Sequence, residues 1–96
     1  MTAGYVYCVV HEQHPEWIKI GLTKVEPAKR LAQYQTADPH RAYEMPFVLP
    51  VDDCRAVERE VHAAFADAGF QLKNEWVQTK LALAQSIIST TANDFH

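Results

Sequence analysis

The chain has no apolar run near the roughly 18 residues that a membrane span requires. It does not begin with a basic segment followed by an apolar one, so no secretory signal is expected, and the expected compartment is the cytoplasm. It has only two cysteines, Cys8 and Cys54, too few for a disulfide framework, and both are expected as reduced thiols. Repeats, low-complexity tracts and linkers are also missing. With 96 residues, one domain is expected over 1–96, with its core at about 4–88 and a polar, fraying tail at 89–96. A chain this short buries roughly two-thirds of its unfolded surface, enough for one core but not for a deep multi-lobed cleft. Finally, there is no strong charge of either sign. A net charge of −3 argues against attachment to nucleic acid by bulk charge alone.

What is present is unevenly spread. Residues 19–41 carry a local charge of +3, against −2 over 1–18 and −4 over 42–96. A basic segment on an acidic body suits a small phosphate-binding face, although solvated helix lysines give the same pattern. Gly4 to Val10 is β-branched and aromatic and predicts a strand. Alternation sets Val6, Cys8 and Val10 on a core face. Tyr5, Tyr7 and Val9 take the other face, where two phenols can meet solvent or a ligand.

A polar, proline-containing turn at 11–16 leads to a second strand, Trp17 to Leu22. Its His11 and His14 make a poor metal site, with no Cys or third His beside them. Antiparallel pairing then brings Lys19 to the tyrosine face. Gly21 marks a place where a Cβ is unwelcome, through positive φ or the close approach of another backbone.

Pro27 and Glu26 suit the start of a helix that ends before Pro39, with Ala28, Leu31, Ala32 and Gln35 facing inward and Arg30 and Tyr34 on another face. Phe47 to Leu49 is the heart of a third strand, and Pro46 and Pro50 place it at a sheet edge. Asp52 or Asp53 caps a second helix with an apolar stripe at Val57, Val61, Ala64, Phe65 and Ala68, stopped by Gly69. Glu58 and His62 flank that stripe one turn apart. Glu75 to Gln78 is a short extended piece, with Trp76 as a core anchor or, alternatively, a base-stacking platform, and a last helix runs to about Ile88. The order is β-β-α-β-α-(β)-α, an α/β (α+β) domain.

Two phenols, a lysine, an arginine and a carboxylate beside a histidine are the residue types that phosphodiester hydrolysis uses. A carboxylate holds a divalent cation. A cation and an arginine offset charge building on the phosphate oxygens. A base must take a proton from water, which a phenol or amine does only with a pKa well below its ordinary value of about 10.

Gly4-Tyr-Val-Tyr7, Lys19-Ile-Gly-x-Thr23, Pro27-x-x-Arg30-Leu, Thr36-x-x-Pro39, Glu58-x-x-x-His62 and Glu75-Trp76 occur in that order over residues 4–78. Together they resemble the GIY-YIG nuclease superfamily, in particular its phage-T5-type branch, where the second motif reads KIG. The resemblance implies a small three-stranded antiparallel sheet flanked by helices, and a metal-dependent DNA endonuclease, a phosphodiester hydrolase using one Mg²⁺ or Mn²⁺. It implies that Tyr7 lies near the attacking water, that Lys19 replaces the usual tyrosine of the second motif, that Arg30 contacts the scissile phosphate and that Glu58 is the metal ligand. Tyr5, Gly21, Tyr34, His62, Asn74 and Glu75 would support this site. Lys24, Lys29, His40 and Arg41 are expected to contact nucleic acid. With no appended reading module in 96 residues, little sequence preference is expected.

Lys19 is a departure that matters, because lysine can bind phosphate, or act as a base if desolvated, but neither is the role of the tyrosine it replaces. A DNA-binding module without activity and a small phage-type protein-interaction factor are therefore the alternatives. The expected partner is DNA, single- or double-stranded, with no membrane. A protein partner belongs to the third reading, and the oligomeric state is open.

Overall fold

A computed structural model describes residues 2–94. Strands β1 (Gly4–His11) and β2 (Trp17–Thr23) form the expected hairpin, with Tyr7 opposite Gly21 and Val9 opposite Lys19. Helix α1 (Pro27–Ala37) follows, with proline in its first turn, where the missing N–H costs nothing. Strand β3 (Tyr43–Val51) pairs antiparallel with β1 and lies at the sheet edge, which leaves its prolines without ladder partners to disrupt on one side. Helix α2 (Cys54–Asp67) is capped by Asp53, whose carboxylate accepts from the Ala56 N–H at 3.3 Å. Gly69, at φ 85°, lets the chain turn away after it. A hairpin of β4 (Leu72–Lys73) and β5 (Trp76–Gln78) and helix α3 (Leu81–Asp94) complete the fold.

The sheet order is β3-β1-β2-β5-β4, antiparallel throughout. The three strands expected are therefore five. The added pair consists of two and three residues, too short for a period-2 pattern to stand out, and β5 joins the sheet through three register pairs with β2.

One sheet face carries the apolar core. Val6, Cys8, Ile18 and Ile20 pack there against Val57, Val61 and Phe65 of α2 and Ala84, Ile88 and Ala92 of α3. Burial pushes the Cys8 thiol up to about 12, so it stays protonated and unreactive. The α2 stripe is narrower than its pattern suggested: Ala64 and Ala68 are exposed, and Cys54 takes a core place instead. Helix α3 continues beyond the expected stop near Ile88 to Asp94, held by buried Ala92; the remaining two residues of the expected tail lie outside the described residues. Among the described residues no helix is long and apolar enough to cross a membrane.

The opposite face is covered only by α1, and incompletely. No α1 residue is fully buried. Ala28 and Ala32, expected inward, are exposed, while Leu31, Tyr34 and Gln35 are half-buried. Gln35 fastens the helix to the edge strand: its amide donates to the Tyr43 carbonyl at 2.7 Å and accepts from the Tyr43 N–H at 3.2 Å.

Candidate functional site

The site starts from a fully buried phenol. Tyr7 was expected to meet solvent or ligand on its face, yet it has 0% exposure. The reason lies across the hairpin. A Cβ on Gly21 would stand 2.7 Å from the Tyr7 hydroxyl and 2.8 Å from Cζ. Only glycine leaves room for the ring there, and the crowding group is a side chain rather than a backbone or a left-handed turn.

Helix α1 then delivers two partners to the phenol oxygen. Arg30 Nε donates to it at 3.3 Å, and the Tyr34 hydroxyl lies 2.8 Å away. Arg30 and Tyr34 are four residues apart, so both reach the same spot from one helix face. Burial, then the bond to Tyr7, pushes the Tyr34 phenol well above its ordinary value, so it keeps its proton and can donate. The hydrogen bond to Tyr7 keeps Arg30 firmly charged despite some burial. Its Nη1 also donates to Gln33 at 2.8 Å, and its guanidinium sits 5.1 Å from the Tyr34 ring centroid. A cation held over an aromatic face by a buried anchor is already oriented before any anion arrives.

Lys19 lies beside this group, as its register with Val9 requires. Its ammonium is 5.0 Å from the Tyr34 ring centroid and 5.9 Å from that of Trp76. It is 3.7 Å from Glu75 Oε2, a loose pair whose lysine side is 21% exposed. Glu75 sits in the β4–β5 turn, where Asn74 adopts φ 57°. The Glu75 carbonyl accepts from the Ile20 N–H at 3.0 Å, so the turn is tied to β2.

Glu58 and His62 approach from α2. His62 Nε2 lies 2.9 Å from the Ile20 carbonyl, an acceptor, so that nitrogen carries the proton and donates. Glu58 is half-buried one turn earlier. Burial raises its carboxyl above the ordinary value, and the negative charge of Glu75 raises it further; His62 and Arg55 oppose this. The charge of Glu75 thus acts on Glu58 while its carboxylate pairs with Lys19.

Among the described residues no set of three or more His, Cys, Asp or Glu side chains gathers as a metal cage. Magnesium nevertheless keeps several waters and needs only one or two protein carboxylates. A partly desolvated Glu58 that feels the negative charge of Glu75 fits that donor set.

The remaining candidates are scattered. Tyr5 is half-buried opposite Thr23. Lys24 and Lys29 are exposed around the start of α1. His40 and Arg41 are exposed in the next loop, Arg41 at φ 48°, and border a separate cleft of about 1230 Å³ that none of Tyr7, Lys19, Arg30 or Glu58 lines. Two arrangements were not foreseen. The first is a strap: His11 Nε2 donates to Asp38 at 3.0 Å while its Nδ1 accepts from the Gln13 N–H at 3.1 Å. The second is an aromatic pocket of about 430 Å³ between Trp17, Trp76 and Tyr43. Alternation from Tyr7 through Val9 to His11 puts the histidine on the site face and was a usable signal for the first. The second depends on β5 docking beside β2, which the expected extended piece at 75–78 did not by itself specify.

Compared with known proteins, residues 4–92 match the model of the T5orf172 domain. The chain belongs to the T5orf172 domain family. The match spans from the first residue of β1 nearly to the end of α3, so this T5orf172 domain includes every element of the site. No curated protein and no solved structure shows significant similarity to it. The T5orf172 assignment identifies a phage-type domain family; the chemistry must be argued from the residues.

Proposed function

We propose that this T5orf172 domain is a metal-dependent DNA endonuclease of GIY-YIG type. The observation that carries the proposal is the convergence of Arg30 and Tyr34 on the buried Tyr7 hydroxyl, with Lys19 against the Tyr34 ring and its partner Glu75 acting by charge on a desolvated Glu58. Two cations and a protonated phenol face one patch, and a carboxylate lies at its border. Arg30 supplies planar, fixed donors for a phosphate, and Lys19 adds a point charge. Tyr34, which keeps its proton, can donate to a phosphate oxygen. Tyr7 acts from below as the anchor of Arg30 and Tyr34, and its hydroxyl reaches a water only if that pair shifts.

Glu58, with Glu75 beside it, would hold one Mg²⁺ or Mn²⁺, which when bound offsets charge developing on the phosphate oxygens. His62 holds the α2 carboxylate end against β2. The test is cleavage of single-stranded, nicked and duplex DNA with Mg²⁺ or Mn²⁺, beside Arg30→Ala and Glu58→Ala. Removing one preorganised donor to a developing anion costs on the order of 10²–10³ in rate, and each variant should lose at least the lower figure. Glu58→Ala cleaving at the wild-type rate would sink the proposal.

A second reading keeps the binding and drops the hydrolysis. It is favoured by the complete burial of Tyr7 and by the pairing of Lys19 with Glu75, which leaves no free base in view. It expects salt-sensitive DNA binding that survives Glu58→Ala, with no cleavage under either metal.

A further inference from the structure

The sheet face that bears Tyr7 and Lys19 is wider than the one short helix laid on it. Helices α2 and α3 cover the opposite face, whereas α1 reaches across only the β1–β3 side. What α1 leaves open is aromatic. Trp17 and Lys19 alternate on β2, Trp76 stands opposite Lys19, and Tyr43 stands opposite His11, so all share this face. Between them is a pocket of about 430 Å³ lined by His14, Trp17, Tyr43, Lys73, Asn74 and Trp76. That volume falls in the roughly 300–1,000 Å³ range of small-ligand sites.

We propose that this pocket receives one unpaired nucleobase of the DNA strand whose phosphate Arg30 and Lys19 hold. It rests on the reading of that cluster as a phosphate site. Three observations favour a base as the occupant. First, the walls are large aromatic rings, and every base has a π-face to stack on them. Second, the polar lining is a lysine, an amide and a histidine, with no carboxylate to repel a phosphodiester strand. Asn74, fixed at φ 57° in the hairpin turn, offers both a donor and an acceptor to a base edge. Third, the pocket adjoins the phosphate cluster. The Tyr43 ring is 5.3 Å from that of Tyr34, and Lys19 Nζ lies between Tyr34 and Trp76 at 5.0 and 5.9 Å. A base in duplex stacking cannot enter, so the pocket selects strands with a free or extruded base.

The experiment follows the two indole N–H signals, of Trp17 and Trp76, by ¹H–¹⁵N spectroscopy in metal-free buffer at low salt. The protein is titrated with a short oligodeoxyadenylate, with an abasic sugar–phosphate strand of equal length, and with a blunt duplex. The base-bearing strand should shift both indole signals and bind roughly tenfold more tightly than the abasic strand. Trp76→Leu should erase that tenfold difference, lowering affinity for the base-bearing strand more than for the duplex. Trp76→Phe should retain most of it, and Tyr43→Leu gives a second test should Trp76→Leu not fold. Equal affinity for base-bearing and abasic strands, or indole signals that do not move, overturns the proposal. Cleavage of the same strand by the wild type with Mg²⁺ is scored separately. Indole shifts without cleavage retain the pocket and sink the nuclease. Cleavage without indole shifts does the reverse.

Discussion

The Tyr7 ring fills the space where residue 21 would carry a side chain: a Cβ at Gly21 would lie 2.7 Å from the phenol oxygen. Gly21 and Tyr7 are register partners, so the missing side chain on β2 is what lets the phenol lie buried under Arg30 and Tyr34.

Gly21→Ala should therefore destabilise the protein by about 1–3 kcal/mol, the usual cost of overpacking a closed core. It should also weaken DNA binding, since the displaced phenol releases Arg30. Thermal unfolding and a salt titration of binding check both. An alanine variant with unchanged melting and unchanged binding would refute the packing argument.

Tyr7→Phe keeps the ring and removes only the shared oxygen. Arg30 Nε and the Tyr34 hydroxyl each lose a partner, which should cost roughly 1 kcal/mol or more in stability. If Tyr7 acts as an anchor, cleavage falls through a looser Arg30, and Arg30→Ala in the Tyr7→Phe background adds little further loss. Additive losses in that double-mutant cycle would mean that the two act independently.

Lys19 and Glu75 oppose each other at 3.7 Å, and Glu75 also burdens Glu58. Glu75→Gln frees the lysine and removes a negative charge from the phosphate face. DNA affinity at low salt should rise several-fold, and its dependence on salt should steepen. Weaker binding by this variant would show that Glu75 positions Lys19 instead of masking it.

Burial and Glu75 raise the Glu58 carboxyl, so the folded protein holds that proton to higher pH than the unfolded chain does. The sign follows: the ionised group costs no stability below its unfolded value and its full cost once the pH exceeds the folded value. Glu58 is only partly buried, so solvent screening keeps this cost small. Glu58→Gln should melt slightly higher than wild type at neutral pH and equally near pH 3. Mg²⁺ should raise the melting temperature of wild type and not of Glu58→Gln, because ligand that binds only the folded state stabilises it by mass action.

Asp38 shows the opposite behaviour. The Ala42 N–H, then those of His40 and the His11 ring, hold its carboxyl below the ordinary value. Its contribution is fully present above the unfolded value of about 3.9 and is lost as the pH falls through the lower, folded one. Asp38→Asn should melt below wild type at neutral pH, and the gap should close in acid. A gap independent of pH would assign the loss to geometry instead of charge.

Much of this arrangement was legible in the sequence. Alternation put Lys19 on the face of Tyr7, spacing put Arg30 and Tyr34 on one helical face, and Pro46 and Pro50 marked an edge strand. The burial of Tyr7 was not legible, because period 2 says which side a residue takes and nothing about what covers that side. Nor was the pairing of Lys19 with Glu75, which are far apart in the chain and meet only because a two-residue strand and a three-residue strand dock beside β2.

The sequence alone determined the order of the elements as far as α2, the start of α1 at a proline, the stop after α2 at Gly69 and the family to which the chain belongs. These depend on local backbone limits and on motif spacing, both carried by neighbouring residues. Only the tertiary structure decided that the sheet has five strands, that Tyr7 is an anchor below the surface, and that the aromatic rings of β2, β3 and β5 share an open pocket. The strand count depends on the β4–β5 hairpin docking beside β2, and the other two depend on how far α1 extends over the sheet; both are decided by packing between segments that the chain itself keeps apart.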